Sequence, residues 1–278
     1  MPNVLQKLEA RNAETLAFIK RFRADYQSGQ ADFARFSREK HQHKYFGFVE
    51  CKAADHDFIL FQANDDIVAW EYLWFGPDAY ESEIIKTWVD WSARASTILD
   101  IGGYTGVMSI LGALSNPSAE VHLFEPMDRT VERAKINVRA NGLERRIRLH
   151  NKAASDTNRE ETINLYREEN FLGTGNSLYD KGLAILDRKT IQTVALDEYL
   201  PDIRPELIKV DVEGHELACL TGMRRILTQH TPRLIVEIWE HNRPQVLELL
   251  TGLGYQCAPF ENREQRVMNF TCTPHRDT

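Results

Sequence analysis

The run Ile98-Leu99-Asp100-Ile101-Gly102-Gly103-Tyr104-Thr105-Gly106 sets an acid and three glycines at the end of an apolar stretch. Glycines there allow a sharp turn and let the backbone approach a ligand where a Cβ would clash. A helix opening behind such a turn aims its free N–H groups at that ligand. The spacing is G-G-x-x-G, which departs from the G-x-G-x-x-G of dinucleotide loops. A second apolar stretch ends in Phe124-Glu125-Pro126, and Glu125 follows Gly102 by 23 residues. An acid at that separation suits the hydroxyls of a ribose, each charge-assisted bond being worth about 1.5–3 kcal/mol. A third stretch leads to Ala153-Ala154-Ser155-Asp156, whose small residues leave room for a flat ring. Ser155 and Asp156 also read as simple turn formers.

Groups able to move a proton concentrate further on. Asp211, Glu213 and His215 follow the apolar run Leu207-Ile208-Lys209-Val210, and Glu237, Glu240 and His241 end the next. Alternation along a strand sets Asp211 and Glu213 on one side. A general base among them would accelerate removal of a substrate proton by about 10²–10⁴-fold. His215 suits that work because an unperturbed imidazole titrates near pH 6.5, although it also reads as a helix-start residue. Glu237 lies inside an apolar strand and needs partners if buried. Lys209, a backbone donor or a substrate are the alternatives. Asp211, Glu213, Glu237 and His241 offer the hard ligands that Mg²⁺ takes, but their spacing does not demand an ion, and no metal is expected.

The elements that must position these groups follow from periodicity. Residues 4–26 carry one apolar stripe with helical spacing, through Leu8, Ile19 and Phe22. This helix is expected to cover the main domain or to form a homodimer contact. Residues 45–76 read as short strands, including Ile67, Val68 and Trp70, with turns at 54–57 and 64–66. The aromatic group Trp70, Tyr72, Trp74 and Phe75 is expected to be core or to line a pocket. From residue 97 onward strands and helices alternate, as in a parallel sheet with helices on both faces. Strands are expected at 97–101, 120–124, 146–150, 161–166, 190–196, 206–211 and 233–238. Helices are expected near 105–115, 128–141, 215–229 and 244–252. Tyr255–Phe260 and Val267–Thr273 have no helix between them and should pair as an antiparallel hairpin. The polar segment 167–189, with Phe171, Asn176, Ser177 and Tyr179, is expected to wall an acceptor pocket.

Composition narrows the partners. The formal net charge of −7 opposes nucleic-acid binding, which needs a basic stripe. Cys51, Cys219, Cys257 and Cys272 are scattered, so free thiols in a reducing cytoplasm are expected. No run of about 18 apolar residues offers a membrane span.

The stretch Lys209-Val210-Asp211-Val212-Glu213-Gly214-His215-Glu216, continuing to Leu220-Thr221-Gly222, resembles the signature of FkbM methyltransferases. Those enzymes carry K-[IV]-D-[VI]-E-G-x-E-x-x-x-L-x-G at this place. Tyr80-Glu81, Asp100-Ile101-Gly102, Phe124-Glu125-Pro126, Asn137, Ala154-Ser155-Asp156, Leu196-Asp197 and Val236-Glu237 also match. The likeness spans about residues 75–245 and departs at Gly103-Tyr104, where relatives have Ala-Asn. It implies an α/β, Rossmann-like class I methyltransferase fold. The expected sheet is mostly parallel and seven-stranded, ends in an antiparallel hairpin, and carries an N-terminal helical and β extension. The extension would be residues 1–79 and the catalytic domain 80–278. The implied cofactor is S-adenosyl-L-methionine (SAM), held by Tyr80, Glu81, Asp100, Gly102, Gly103, Tyr104, Gly106, Glu125, Pro126, Ala153, Ala154 and Asp211. The implied reaction is methyl transfer to a hydroxyl of a small molecule, sugar or natural product. Asp211, Glu213, His215 and Glu237 are the catalytic candidates. A non-catalytic SAM-binding scaffold and a nicotinamide oxidoreductase are the competing readings.

Overall fold

The computed structural model describes residues 3–166, 172–173, 175–260 and 265–275. They divide into two compact units, one running through Ile85 and including Leu172, the other beginning at Lys86.

The first unit opens with α1 (Val4–Gln27), capped by the reciprocal bonds of Asn3 and Gln6. Next come α2 (Phe33–Glu39), the hairpin β1 (Gly47–Ala53) and β2 (His56–Gln62), and α3 (Ile67–Phe75). Helix α4 (Ser82–Ser92) starts in this unit and ends in the next. The strand expected around Ile67, Val68 and Trp70 is therefore the start of a helix. The Asp66 side chain accepts from the backbone N–H groups of Val68 and Ala69, and such a cap decides the local conformation. Arg23 closes the far end by donating to the carbonyls of Tyr72, Leu73 and Trp74 at 3.0, 2.6 and 3.2 Å. Trp70, Tyr72 and Trp74 are buried. Phe22 and Phe36 pack edge-on to Trp74 at 5.0 and 5.4 Å. The aromatic group is thus the core of this unit.

The second unit contains a seven-stranded sheet built from β3 (Thr97–Ile101), β4 (Glu120–Phe124), β5 (Ile147–His150) and four later strands. Helices α5 (Val107–Ser115) and α6 (Asp128–Ala140) connect the first three. The chain then forms β6 (Ala153–Ala154), β7 (Arg159–Leu165) and β8 (Asp187–Val194), followed by the short α7 (Leu196–Tyr199). The strands expected at 161–166 and 190–196 do not join the main sheet; they pair with β6 in a separate three-stranded sheet. The main sheet resumes with β9 (Leu207–Val210), then α8 (Glu216–Thr221), α9 (Arg224–Gln229), β10 (Arg233–Trp239), α10 (Arg243–Gly252), β11 (Tyr255–Pro259) and β12 (Val267–Pro274). Its order is β11-β12-β10-β9-β3-β4-β5. Strand β12 runs antiparallel to both of its neighbours, and the remaining pairs are parallel.

Alternation along β3 shows both faces in use. Leu99 and Ile101 join an apolar cluster with Cys219, Leu220, Ile226, Val246 and Leu250 of the later helices. Asp100 points the other way, toward Ser109 of α5. The single helix expected near 215–229 is two, because Asp197 caps α9 from a distance: its carboxylate accepts from Arg225 and Ile226 N–H at 2.6 and 2.9 Å.

The expectation of free cysteines holds for Cys51 and Cys219 only, both buried. Cys257 and Cys272 face each other across β11 and β12 and form a disulfide. Residues scattered along a chain become neighbours when strands pair. No described helix is long and apolar enough to cross a membrane.

Candidate active site

In an open α/β sheet, ligands bind beyond the carboxyl ends of the strands, where the strand order reverses. That point falls between β3 and β9. The two strands are in register, Asp100 opposite Lys209, and the Asp211 N–H donates to the Ile101 carbonyl at 2.9 Å.

The glycine loop turns at this point. Gly102 and Gly103 both donate to the Phe124 carbonyl, at 2.9 and 3.1 Å. Gly102 has φ +80°, and a Cβ there would sit 1.7 Å from the Asp211 carbonyl oxygen. One at Gly103 would sit 2.6 Å from Leu123 Cγ and 2.8 Å from Asp100 Oδ2. The next residue, Tyr104, is also left-handed at φ +47°, a conformation that costs an L-residue about 1–2 kcal/mol. Gly106 starts α5.

Beneath the loop, Asp100 is fully buried. Ser109 Oγ donates to its Oδ2 at 2.6 Å, and Oδ1 is buried with no hydrogen-bond partner. Burial raises its carboxyl, against the pull of nearby Lys209. Glu125 is also buried, and its carboxyl is pushed up to about 8 by burial, with the charges of Asp100 and Asp211 adding to the effect. Backbone N–H groups of Met127, at 2.9 Å, and Tyr104 oppose this by donating to it. Pro126 follows, and Asn151 Nδ2 donates to the carbonyls of Glu125 and Pro126 at 3.2 and 3.0 Å. Ala153 and Ala154 are buried and pair with Thr193 and Val194. Tyr80 and Glu81 lie in the first unit, just ahead of α4, with Glu81 at φ +40°.

The proton-handling groups are mostly engaged. Lys209, itself buried, holds Asp211 Oδ2 at 2.6 Å. Asp211 and Glu237 carry carboxylate oxygens within 4.8 Å of each other. Glu213 is left-handed at φ +56°. Burial first, and Asp211 second, push its carboxyl up to about 7, and Lys181 Nζ binds Oε2 at 2.6 Å. His215 Nε2 lies 2.8 Å from Ser155 Oγ, and burial lowers its imidazole. His241 Nε2 lies 3.1 Å from the Gly214 carbonyl. Glu240 is exposed near Arg266.

The expected wall segment bears on the same strand ends. Ser177 Oγ donates to the Glu213 carbonyl at 2.6 Å. The Tyr179 ring stacks on His241 at 3.7 Å, and Lys181 lies 4.2 Å over the Trp239 ring. Asn176 belongs to this segment, whereas Phe171 lies outside the described residues. Sequence reasoning missed Lys181 and Ser109. An isolated lysine in a polar segment has no period to betray it, and Ser109 sits among apolar residues near the start of α5.

The family model of the methyltransferase FkbM domain matches residues 100–257. No curated protein matches the chain. Solved structures similar to the chain include a methyltransferase FkbM from Methylobacillus flagellatus, at 18% identity and TM-score 0.47, covering 64% of this chain and 43% of that one. A SAM-dependent O-methyltransferase from Thermotoga maritima is similar at 14% identity and TM-score 0.46, covering 72% and 67%. An rRNA methylase from Streptococcus thermophilus is similar at 14% identity and TM-score 0.45, covering 69% and 96%. The chain thus spans less than half the length of the M. flagellatus protein.

Proposed function

Because the chain belongs to the FkbM methyltransferase family, we propose that it uses SAM to methylate a hydroxyl oxygen of a small molecule, a sugar or a natural product. Residues 80–278 are assigned as the catalytic domain and 1–79 as its extension. The observation carrying this reading is the joint between the glycine loop and β9. Gly102 leaves no room for a Cβ against the Asp211 carbonyl, and the buried acid Glu125 accepts two bonds from the backbone. Once ionised, its carboxylate has about four acceptor sites, so two would remain for ribose hydroxyls. The residues therefore fit the cofactor.

When bound, SAM supplies an electrophilic methyl carbon on a sulfonium. The chain contributes position, worth up to roughly 7–11 kcal/mol in a two-reactant step. Glu125 orients the ribose, and Gly102, Gly103, Tyr104 and Gly106 bring the backbone alongside. Asp100 holds the loop through Ser109. Asp211, fixed by Lys209, would stand beside the acceptor hydroxyl and hold it for attack on the methyl carbon that SAM supplies. The hydroxyl proton passes to the Asp211–Glu237 pair, whose oxygens are close together. Glu213 and His215, tied to Lys181 and Ser155, serve as positioning residues. The net negative charge supports a small acceptor over a nucleic acid.

Isothermal titration with S-adenosylhomocysteine tests the reading. Saturable binding is expected, weakened at least roughly tenfold by Glu125→Gln, the loss of two charge-assisted bonds. Binding of NADH in its place would sink the proposal. Labelled SAM with pooled hydroxylated acceptors then tests transfer, and binding without transfer would favour a scaffold.

A further inference from the structure

The first unit contains a cavity of about 350 Å³ between one face of α1 and the segment 42–44. Arg11 and Arg21 enter it from the helix, and Lys44 and His43 from the segment. Its two walls are pinned together. Thr15 Oγ donates to the Lys44 carbonyl at 3.0 Å, and Asn12 exchanges two bonds with the Phe46 backbone, at 2.8 and 3.2 Å.

Three cationic side chains line this cavity. Arg11, Arg21 and Lys44 make no ion pair among the described residues. They gather in a chain whose acids outnumber its bases, 41 to 34. Glu14 is the one acid on the cavity wall. The cavity also has an aromatic side, where Phe18 stacks on His43 at 3.5 Å with the planes 13° apart. Trp74 meets Phe18 and His43 edge-on at 5.9 and 6.3 Å. An imidazole has an N–H to donate in either tautomer, and guanidinium groups suit the oxygens of a phosphate.

We propose that this cavity binds a phosphate-bearing small molecule, its anion held by Arg11, Arg21 and Lys44 and its remainder against the Phe18–His43 stack. A volume of this size is within the range of small-ligand sites, about 300–1,000 Å³. The site is built wholly from the first unit, outside the residues matched by the family model, and does not rest on the methyl-transfer reading.

The experiment is calorimetric titration of the full-length chain with inorganic pyrophosphate at fixed pH and ionic strength. Saturable binding is expected. The triple variant Arg11→Gln, Arg21→Gln, Lys44→Gln should weaken it by roughly tenfold or more, since charge supplies most of the attraction. Glu14→Gln should tighten it several-fold by removing a repulsive charge. The altered side chains are exposed, and circular dichroism checks that each variant folds. S-adenosylhomocysteine affinity should be the same in all of them, which separates failure here from failure of the methyl-transfer reading. Absence of saturation, or equal binding by the triple variant, overturns the proposal. So does charge-dependent sedimentation with phosphatidylserine vesicles in the absence of pyrophosphate binding, which would assign the surface to a membrane.

Discussion

At the scale of single residues, the glycine loop is where sequence, backbone and chemistry constrain one another most tightly. Gly102→Ala places a methyl group 1.7 Å from the Asp211 carbonyl oxygen. The expected outcome is a stability loss of about 2–4 kcal/mol from strain and overpacking, read from urea denaturation, together with loss of S-adenosylhomocysteine binding. Tyr104 offers the opposite case. Its left-handed backbone is better tolerated by Asn than by an aromatic residue, so Tyr104→Asn should stabilise the protein by roughly 0.5–1 kcal/mol. Denaturant midpoints would show the gain. This gives a physical meaning to the departure noted at Gly103-Tyr104. The glycines and acids of the loop were legible because their types and spacing are themselves the signal. Lys181 was not, because its partner Glu213 lies 32 positions away in the chain and only the fold makes them neighbours.

At the scale of elements, the long apolar alternation after residue 97 was readable, since the central strands β3, β4 and β9 are buried almost throughout. Errors arose where a remote or local cap outweighed hydrophobic pattern. Helix α3 is apolar apart from Glu71, so its sequence carries no helical period, and the deciding group is Asp66. Asp66→Ala should cost about 0.5–2 kcal/mol, whereas Asp66→Asn should retain most of the stability because its amide oxygen still caps. Chemical denaturation of the two variants side by side tests this. The break between α8 and α9 has the same kind of cause, since Asp197 reaches its two amide partners across the fold. The second, three-stranded sheet was missed because β6 is only two residues long, too short to register as a strand in any pattern.

At the scale of the whole molecule, buried acids tie stability to pH. The Glu125 carboxyl is raised from 4.5 to about 8. The folded chain therefore keeps a proton that the unfolded chain has already released across that interval, and stability falls as pH rises through it. Glu125→Gln should flatten the dependence of Tm on pH between about 5 and 8. Some slope should persist, because Glu213 and Glu71, each raised to about 7, still titrate there. Differential scanning fluorimetry across that range checks both statements. Cofactor binding should invert the trend for Glu125 if ribose hydroxyls donate to its ionised form, with proton release detectable as a buffer-dependent heat.

The segment from Gly175 to Lys181 meets the strand ends through side chains more than through backbone. Its described ties include the Lys181–Glu213 pair, the Ser177 bond, the Tyr179–His241 stack, Lys181 over the Trp239 ring and a backbone bridge between Ser177 and Asn164. The sheet beneath depends on none of them for its hydrogen-bond ladder. Such a segment is, in mechanical terms, a replaceable fitting. If it walls the acceptor pocket as proposed, a segment of different length and lining would change which acceptor is admitted without disturbing the strand ladder beneath.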